Sequence, residues 1–440
     1  MQATVIIPAL NEKANIAKLI PELRKVFSAI TDDYEIIIAD GGSRDGTEEL
    51  TSALGIKFFV QREEGYGSAL KEGFAQAHGE YIITMDADLS HSPEFIKEMW
   101  KKRNDAEMVI ASRYCSGGRA SMPFHRLFLS RVLNIFFARG LSLPVKDISS
   151  GFRLFKKSLV EELKLESIHF DILEEILIKC YAQGYKIIEV PFAYEPRVHG
   201  SSKARVFKFG IVLLKTFGRM WALRNSIRSA DYDERAYGSI IPLQRYWQRK
   251  RHDIIVRNAI AQGLTLDIGC GSSRILRSLS HVVGLDILMN KVRYMRKYGK
   301  PVVNGSIFAL PFQANSFDCV ICSQVIEHIR ISMVPFQEMS RVLKPGGRLI
   351  LGTPDYRTLM WRIIEPLYGF FIPRGYEDEH ITHYHREGLV QLLQTLGFSV
   401  EKVLYVLRAE LIIVAKKEGK IKSECQTQMS NKYQSSNAKE

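Results

Sequence analysis

The chain has 440 residues, and its 61 Lys and Arg outnumber its 48 Asp and Glu, which gives a formal net charge of +13. This length predicts about two to four domains. Hydrophobic residues make up 46% and charged residues 25% of the chain, which excludes a disordered chain, a collagen and a small disulfide scaffold. A positive balance of this size predicts attraction to an anion, such as nucleic acid, a phosphorylated ligand or an acidic membrane surface.

Two series of strand-like apolar runs alternate with helical stretches, which predicts α/β architecture. The first series is TVIIPA, YEIIIAD, KFFVQ, EYIITMDAD and MVIASRY. The second begins near residue 264 with LTLDIGCG, VVGLDI, FDCVICS, GRLILGTP, FSVEKVLYV and ELIIVAKK. We predict an α/β domain over residues 1–225, a basic linker over 226–250, a second α/β domain over 251–418 and a disordered tail over 419–440.

The sequence also carries signals about the cellular compartment. It opens with MQATVIIPALNE, which is typical of a strand and not of a signal peptide. No apolar run reaches about 18 residues, so no helix is expected to span a bilayer. Six scattered cysteines in a long chain predict free thiols and a reducing cytoplasm.

Three motifs in the first half occur in an order that predicts a nucleotide-sugar site. The strand VIIPALNE runs into a loop, and Asp40 ends the strand of IIIADGGSRDGT before a Gly-rich turn. The third motif, MDADLSH, places Asp86 and Asp88 at the carboxyl end of a strand. Two carboxylates there can hold Mg2+ or Mn2+, while diphosphate oxygens and water complete the octahedron. Asp40 alone is equally typical of a turn or N-cap residue.

These motifs, together with ASRY, DISSGFRLF, GYKIIEVPF and RVHGSSK, resemble family-2 glycosyltransferases of the dolichyl-phosphate mannosyltransferase type over about residues 1–225. The resemblance implies a GT-A type α/β domain. It implies nucleoside contacts by Pro8, Leu10, Glu12, Ile38 and Asp40, a metal site at Asp86 and Asp88 with Ala87 between them, and phosphate contacts by Arg113, Arg131, Arg197 and Lys203. The family often has two acids where this chain has Asp40 and Gly41, which leaves the base preference open.

The acceptor of this type of enzyme is a polyprenyl phosphate. A phosphate oxygen is already an anion, so no general base is needed to make it nucleophilic. The metal and nearby cations would stabilise the leaving nucleoside diphosphate, and attack opposite the leaving group would invert the anomeric centre. We expect Asp88 to be indispensable because it anchors the metal, and Arg113 to take part in catalysis as a phosphate contact.

Most of the positive charge lies between the two series. Residues 197–257 contain 14 Lys and Arg but only 4 Asp and Glu. The part from Lys203 to Arg228 predicts a basic amphipathic helix at a membrane interface, with packing on its own domain or a partner as the alternative. PLQRYWQRKRHDIIVR further on interleaves aromatics with cations, but we predict a helical lead-in to the second domain and no nucleic-acid partner.

The second half opens with a glycine-rich turn after a strand. Asp267, Gly269 and Gly271 stand in LTLDIGCGSS, and Asp286 closes the next strand about 20 residues on. This arrangement suits a ribose-bearing cofactor and leaves both NAD and S-adenosylmethionine open.

The continuation ALPFQANSFDCVICSQVIEHI and RVLKPGGRLIL resembles class I S-adenosylmethionine-dependent methyltransferases, over about residues 245–417, and thereby implies a Rossmann-like domain. The resemblance implies that Asp267, Gly269 and Gly271 contact the methionine end of S-adenosylmethionine and that Asp286 binds the ribose hydroxyls. It also implies that Ser306 and Ile307 lie near the adenine and that Ser323 and Gln324 face the cofactor. The family often has an acid where Ser306 stands, and no N-P-P-Y type motif is present.

The methyl acceptor is harder to read from the sequence. Methylation of a sugar hydroxyl needs a base, and His has a suitable pKa. His328 follows the fourth strand, and EHITHYH supplies Glu379, His380, His383 and His385. We predict His328 or His383 as the base, with a lining role or a metal site as alternatives.

Taken together, these patterns predict a cytoplasmic, peripheral membrane enzyme with two activities. One is transfer of a sugar from a nucleotide-sugar donor to a polyprenyl phosphate, and the other is methylation of an oxygen. The alternative is a surface-polysaccharide or glycolipid glycosyltransferase that carries an unrelated or non-catalytic methyltransferase module.

Overall fold

The computed structural model describes residues 1–194, 206–364 and 380–418, with the side chains of residues 206–209 left out. The chain divides into two compact units, Met1–Arg224 and Asn225–Glu440. Each unit is an α/β domain built on a sheet of seven strands, so the predicted fold class is confirmed. Among the residues described, no helix is both long and apolar enough to cross a membrane.

The first unit contains nine strands and eight α-helices in its described residues. The strands are β1 (Ala3–Ala9), β2 (Tyr34–Asp40), β3 (Lys57–Val60), β4 (Tyr81–Thr84), β5 (Met108–Ser112), β6 (Arg119–Ala120), β7 (Arg153–Lys156), β8 (Ile187–Pro191) and β9 (Ala193–Tyr194). The helices are α1 (Lys13–Phe27), α2 (Thr47–Ala53), α3 (Tyr66–Gln76), α4 (Ile96–Lys101), α5 (Phe124–Gly140), α6 (Lys157–Glu162), α7 (Ile172–Ala182) and α8 (Val206–Arg224).

The large sheet of this unit has the order β3-β2-β1-β4-β7-β5-β8. β1 pairs in parallel with β2 and with β4, whereas β7 is antiparallel to both of its neighbours. Helices cover both faces, which is why central strands such as β1 and β4 are almost continuously apolar. The carboxyl ends of β1, β2 and β4 therefore meet at one edge of the sheet, where ligands bind in open α/β folds.

The second unit contains seven strands and six α-helices in its described residues. The strands are β10 (Thr265–Ile268), β11 (Val282–Asp286), β12 (Val302–Asn304), β13 (Phe317–Ser323), β14 (Leu343–Pro354), β15 (Phe398–Val406) and β16 (Glu410–Lys417). The helices are α9 (Tyr232–Tyr237), α10 (Pro242–Asn258), α11 (Ile275–Ser278), α12 (Met289–Met295), α13 (Val334–Val342) and α14 (Arg386–Thr395).

Its sheet has the order β12-β11-β10-β13-β14-β16-β15. β10 to β14 run in parallel, and β16 is antiparallel to both β14 and β15. The strand order reverses between β10 and β13, and the loops after these strands form the crevice in which such folds bind ligands.

The segment 226–250, expected to be a basic linker, is instead largely helical and belongs to the second unit. It contains α9 and the first half of α10. α9 is held because Tyr232 and Ala236 are buried and because Asp233 hydrogen-bonds to Ser272. In α10, the Trp247 indole N–H donates to Glu410, so this aromatic residue serves the fold. The expected tail, 419–440, lies outside the described residues.

Candidate active sites

The turn after β2 is organised by the carboxylate of Asp40. Its Oδ2 accepts hydrogen bonds from the backbone N–H of Gly42 at 2.7 Å and of Ser43 at 2.6 Å, and its Oδ1 accepts one from the Ser43 hydroxyl at 2.5 Å. Only 1% of Asp40 is exposed. Its carboxylate therefore shapes the Gly-rich turn, as the turn-residue interpretation predicts.

The loop after β1 is tied to that turn. Asn11 adopts a left-handed backbone with φ of 58°. Its backbone N–H donates to the Ser43 hydroxyl oxygen at 2.7 Å, and its Oδ1 accepts from the N–H of Arg44 at 2.8 Å. Glu12 accepts a hydrogen bond from Asn15 at 2.6 Å. These bonds bring two loops together, so their residues line one edge of the sheet.

The predicted nucleoside residues divide by exposure. Leu10 is 38% exposed at that edge, and Pro8 and Glu12 are half-buried. Ile38 is fully buried and packs in the core of the sheet. Its side chain therefore has a packing role, and we leave it out of the donor site proposed below.

Asp86 and Asp88 lie beyond the end of β4 in different environments. The Asp86 side chain is 32% exposed; its Oδ1 accepts from the Tyr66 hydroxyl at 3.2 Å, and its backbone N–H donates to Nδ1 of His91 at 3.0 Å. Asp88 is 3% exposed, and its Oδ1 accepts from the N–H of Ser90 at 3.1 Å and from the Ser90 hydroxyl at 2.5 Å. Asp86 is therefore the more accessible carboxylate.

Tyr66 and His91 are two neighbours of this pair. Burial raises the pKa of Tyr66, and the charge of Asp86 adds to this effect. Burial lowers the pKa of His91, although Asp86 and Asp88 oppose that change. Ala87, between the two acids, is 4% exposed and packs in the core. The site thus offers two carboxylates, which are hard oxygen ligands that suit Mg2+ or Mn2+.

The DISSGFRLF segment lies against the end of β4, beside the two acids. Arg153 is fully buried and donates to the backbone oxygens of Ile148 at 2.6 Å, Ser150 at 2.7 Å and Leu173 at 2.7 Å. The Thr84 hydroxyl, at the end of β4, donates to the backbone oxygen of Gly151 at 2.7 Å.

Gly151 leaves room for the Tyr66 hydroxyl, because a Cβ at this position would stand 2.8 Å from the hydroxyl oxygen. Tyr66, Gly151 and Arg153 were missed as site residues. The motif DISSGFRLF was a signal for two of them, but it did not indicate their roles.

Arg113 is held by a buried ion pair. Its Nε donates to Oδ2 of Asp147 at 2.8 Å, and its Nη2 donates to Oδ1 at 2.7 Å. Nη2 also donates to the Ser149 hydroxyl at 2.8 Å. Burial alone would lower the pKa of Arg113, but the hydrogen bonds and charge of Asp147 outweigh it and raise the pKa. The guanidinium is therefore fixed in place, with part of its donor capacity already used.

The other predicted phosphate contacts have different placements. Arg131 is exposed on α5, with its guanidinium carbon 5.9 Å from the centre of the Tyr114 ring. The Tyr114 hydroxyl donates to that of Ser130 at 2.7 Å, which ties the loop that carries Arg113 to α5. Arg197 and Lys203 lie outside the described residues.

α5 exposes an unusually apolar surface. Six of its large apolar side chains are between 45% and 81% exposed. We call them the α5 apolar surface: Phe124, Phe128, Leu129, Val132, Ile135 and Phe136. The ring centres of Phe136 and of Phe217 on α8 lie 4.5 Å apart. The apolar side chains of Ile211 and Leu214 on α8 are also exposed.

The described part of α8 packs largely on its own domain. Leu213 and Met220 are buried in the core, and the Thr216 hydroxyl donates to Asp171 at 2.7 Å. This arrangement matches the packing alternative for most of the helix. Two cations of the predicted basic helix cannot be placed, because Arg205 lies outside the described residues and the side chain of Lys208 is not described.

The glycine-rich turn of the second unit follows β10. Gly269 and Gly271 have φ of 65° and 52°, a left-handed backbone that favours glycine. A Cβ at Gly269 would stand 2.2 Å from a Val325 methyl carbon. The N–H of Gly271 donates to Oδ2 of Asp286 at 2.8 Å, so the acid that closes β11 lies directly beside the turn.

Asp267 is a buried acid beside this turn. It is 3% exposed, and its Oδ2 has no hydrogen-bond partner among the residues described. Burial, reinforced by the charges of Asp286 and Asp233, raises the pKa of Asp267 to about 8. Burial also raises the pKa of Asp286. Such an unsatisfied acid requires a partner, and a cationic amine of a bound ligand would supply one.

Asp233 of α9 covers the same turn, which the sequence did not predict. Its Oδ2 accepts from the N–H of Ser272 at 2.9 Å and pairs with Nζ of Lys291 at 3.0 Å. Burial would raise the pKa of Asp233, but Lys291 and the Ser272 N–H outweigh it and lower the pKa to about 2. No motif signalled this contact, because it joins residues nearly 40 positions apart.

The remaining predicted cofactor residues lie after β12 and at the end of β13. Ser306 is half-buried and accepts a hydrogen bond from the N–H of Phe308 at 3.2 Å, whereas Ile307 is 7% exposed and packs in the core. Ser323 and Gln324 are half-buried. Gln324 has a φ of 60° and donates from Nε2 to Glu410 at 3.2 Å.

The histidines predicted near the methyl acceptor have different environments in the structure. His328 and His380 have ring centres 5.0 Å apart, and burial lowers the pKa of His380 to about 4. His383 is exposed and stacks on Tyr356 with ring centres 4.1 Å apart. Glu379 lies outside the described residues. In the described chain, the metal-capable group is therefore Glu327, His328 and His380, and not the EHITHYH cluster by itself.

Comparison with known proteins identifies the class of each half of the chain. Residues 4–164 match the family described as "Glycosyl transferase family 2", and residues 266–351 match "Methyltransferase domain". A dolichol-phosphate mannosyltransferase of Saccharomyces cerevisiae is 30% identical over 255 residues, which are 51% of this chain and 94% of that protein. The Pyrococcus furiosus protein of the same name is 36% identical over 216 residues, which are 47% of this chain and 60% of that protein.

The chain belongs to glycosyl transferase family 2 through its first half. It also carries a methyltransferase domain, and it is therefore an enzyme that combines a family 2 glycosyltransferase with a methyltransferase. The predicted order of a GT-A type domain followed by a Rossmann-like methyltransferase domain is confirmed.

Among solved structures, glucosyl-3-phosphoglycerate synthase from Mycobacterium tuberculosis, in complex with Mn2+, UDP and phosphoglyceric acid, is 19% identical. It covers 50% of this chain and 78% of its own, with a TM-score of 0.41.

Proposed function

We propose that the first unit transfers a sugar from a nucleotide-sugar donor to a polyprenyl phosphate, with inversion at the anomeric carbon. The observation that carries the proposal is the pair Asp86 and Asp88 at the carboxyl end of β4, in a chain that is 30% identical to nearly the whole of a dolichol-phosphate mannosyltransferase. The donor nucleoside would lie over the edge formed by Pro8, Leu10, Glu12 and the Asp40 turn.

The residues around this edge support that chemistry. A divalent ion, Mg2+ or Mn2+, would be held by Asp86 and Asp88 and would neutralise the charge of the leaving diphosphate. Arg113, fixed by Asp147, would direct its remaining donors toward phosphate oxygens. The acceptor phosphate oxygen attacks the anomeric carbon as the carbon–oxygen bond to the diphosphate breaks, so no proton has to be removed from the nucleophile.

A lipid acceptor also requires contact with a bilayer, and the α5 apolar surface supplies a candidate. Its six exposed apolar side chains are flanked by Arg126, Arg131 and Arg139, which are also exposed. Apolar side chains beside cations are typical of surfaces that bind anionic lipid interfaces. We therefore propose peripheral attachment through α5, on the cytoplasmic face.

For the second unit we propose methyl transfer from S-adenosylmethionine to an oxygen of a glycan or lipid-pathway product. The glycine turn, the unsatisfied buried Asp267 and the adjacent Asp286 fit the amino group and ribose of this cofactor, which supplies an electrophilic methyl group on a sulfonium. Ser306 follows β12, and Ser323 and Gln324 lie at the end of β13, at the carboxyl edge of the same sheet as the glycine turn, where such a cofactor would extend. His328 and His383 remain candidates for the base that takes the hydroxyl proton.

The proposal is tested by incubating the full chain with a radiolabelled nucleotide sugar, a polyprenyl phosphate and Mg2+ or Mn2+. We expect label to move into the organic phase with wild type and not with Asp88→Ala, provided that both proteins unfold at similar temperatures. Full transfer by Asp88→Ala would reject the proposed site. Transfer of label to a polysaccharide and not to the lipid phosphate would favour a surface-polysaccharide enzyme.

A further inference from the structure

A carboxylate and two imidazoles meet just beyond β13 in the second unit. One ligand atom from each of Glu327, His328 and His380 lies within 4.8 Å of the other two. The side chains come from two separate segments, the short helical turn Ile326–His328 and the residue that precedes Ile381. Their types, one carboxylate oxygen and two imidazole nitrogens, are ligands that divalent transition metals accept.

One oxygen of the Glu327 carboxylate is buried without a hydrogen-bond partner in the described part of the chain. Glu327 is fully buried. Its Oε2 accepts a hydrogen bond from the Thr353 hydroxyl at 3.2 Å, whereas its Oε1 has no hydrogen-bond partner in the described part of the chain. Burying a carboxylate oxygen without a hydrogen-bond partner costs folding free energy, and such groups are normally paired or coordinate a metal. The lack of a partner for Oε1 therefore indicates that this cluster binds a ligand.

The backbone holds the three side chains together across more than 50 positions of sequence. The backbone oxygen of Glu327 accepts hydrogen bonds from the N–H of Ile381 at 2.8 Å and of Thr382 at 3.0 Å. The Thr382 hydroxyl donates to the backbone oxygen of Ile329 at 2.6 Å. These bonds fix the segment after His380 to the turn that carries Glu327 and His328, so the cluster is built into the fold.

We propose that Glu327, His328 and His380 bind one divalent transition-metal ion. Tetrahedral zinc, with ligands at about 2.0–2.1 Å, separates its ligand atoms by roughly 3.4 Å, so small side-chain rotations close the cluster on an ion. Two imidazoles with one carboxylate favour Zn2+, Mn2+ or Fe2+ over Mg2+, which prefers an all-oxygen shell. The Thr353 hydroxyl orients the carboxylate, as the outer partners of metal ligands do.

The consequence for catalysis rests on the proposed methyltransferase function. The site follows Ser323 and Gln324, where the cofactor is proposed to lie. An acceptor hydroxyl bound at the ion loses its proton more readily. Its oxygen attacks the methyl carbon of S-adenosylmethionine, the carbon–sulfur bonding pair returns to sulfur, and the hydroxyl proton passes to water or to a nearby imidazole. The acceptor is thereby predicted to be an alcohol or a diol that can coordinate a metal.

The alternative is a purely structural cluster, because Tyr356 and Trp361 also lie against His380, with ring centres 6.1 Å and 6.0 Å away. Metal binding separates the two interpretations. The untagged full chain, freed of metal with a chelator, is titrated with Zn2+ in millimolar Mg2+, which is added to compete for the proposed carboxylate site of the first unit. Bound zinc is measured by mass spectrometry of the metal, and S-adenosylmethionine binding is measured on the same samples by calorimetry.

We expect wild type to bind one Zn2+ per chain, and Glu327→Gln and His380→Ala each to weaken binding at least tenfold. His383→Ala, which removes a neighbouring histidine outside the cluster, should bind zinc as wild type does. No zinc binding by wild type, or equal loss in His383→Ala, would overturn the metal site. Cofactor binding without zinc binding would reject this site alone, whereas zinc binding without cofactor binding would reject the proposed methyl transfer alone.

Discussion

The Tyr66 hydroxyl donates a hydrogen bond of 3.2 Å to Oδ1 of Asp86. This bond orients the more exposed of the two acids proposed to hold the metal, and Gly151 leaves the space that the hydroxyl occupies. Tyr66 is thus a positioning residue whose effect should be measurable without loss of the fold.

Tyr66→Phe should weaken Mg2+ or Mn2+ activation of sugar transfer by about tenfold, because a hydrogen bond to a charged group contributes about 1.5–3 kcal/mol and the 3.2 Å length of this one places it at the low end. The measurement is transfer rate against metal concentration. Tyr81→Phe is a matched control, since the Tyr81 hydroxyl bonds Asn104 at 2.8 Å and not a site residue. An equal change in both variants would contradict the assigned role.

The Arg113–Asp147 pair should be important for stability as well as for donor binding. The Asp147 side chain is fully buried and that of Arg113 is 12% exposed. Removing one partner of a buried pair costs about 3–5 kcal/mol, so Asp147→Asn should lower the denaturation midpoint of the first unit.

Arg113→Lys keeps the charge but loses the two-pronged geometry, and we expect it to raise the KM for the nucleotide sugar. An unchanged KM in a folded Arg113→Lys protein would show that Arg113 stabilises the fold but does not contribute to donor binding.

Asp267 should make the second unit less stable as the pH rises. Its pKa is raised by burial from 3.8 to about 8 in the folded chain. The folded state therefore holds this proton more tightly than the unfolded state, and the associated stability is present below pH 4 and lost as the pH rises toward 8. Asp267→Asn cannot lose a proton.

Denaturant unfolding at pH 5 and pH 8, without cofactor, should show that wild type loses more stability between the two values than Asp267→Asn does. The comparison of the two proteins cancels other titrating groups, such as Glu327, whose pKa burial raises to about 8. Parallel pH dependence would show that Asp267 is ionised in the folded chain.

The α5 apolar surface should bind lipid. Phe124 and Phe128 are 81% and 56% exposed, so Phe124→Ser with Phe128→Ser removes apolar area with little effect on folding. We expect wild type to float with anionic vesicles and this double variant to float at least several-fold less. Val60→Ser, at an exposed apolar residue of β3, is the control. Absence of wild-type flotation would reject membrane contact through α5.

The strand pattern and the loop motifs were readable because apolar runs and Gly-rich turns are local features. They predicted two α/β domains and placed Asp40, Asp86, Asp267 and Asp286 at strand ends. The short β7 was not predicted, although its residues were noted as the motif DISSGFRLF. Its four residues, RLFK, include only two apolar side chains, so they do not show an apolar run.

Side-chain partners could not be read in the same way. Arg113 was assigned to phosphates, but its partner Asp147 lies 34 residues away, and only the fold reveals the pair. His380 was grouped with its sequence neighbours, whereas backbone bonds to Glu327 place it beside His328. Ile38 was assigned to the nucleoside, but a residue in the middle of a central strand has both sheet faces covered.

The most direct test of the central claim, that one chain transfers a sugar to a polyprenyl phosphate and also transfers a methyl group, is mass spectrometry of lipid-linked glycans. Extracts are compared from cells that express wild type, Asp88→Ala, Asp267→Ala or no protein. The account predicts that Asp88→Ala loses the sugar-bearing lipid, and that Asp267→Ala keeps it but loses a methyl increment from a glycan or lipid product. An unchanged sugar-bearing lipid in cells that express only Asp88→Ala would contradict it.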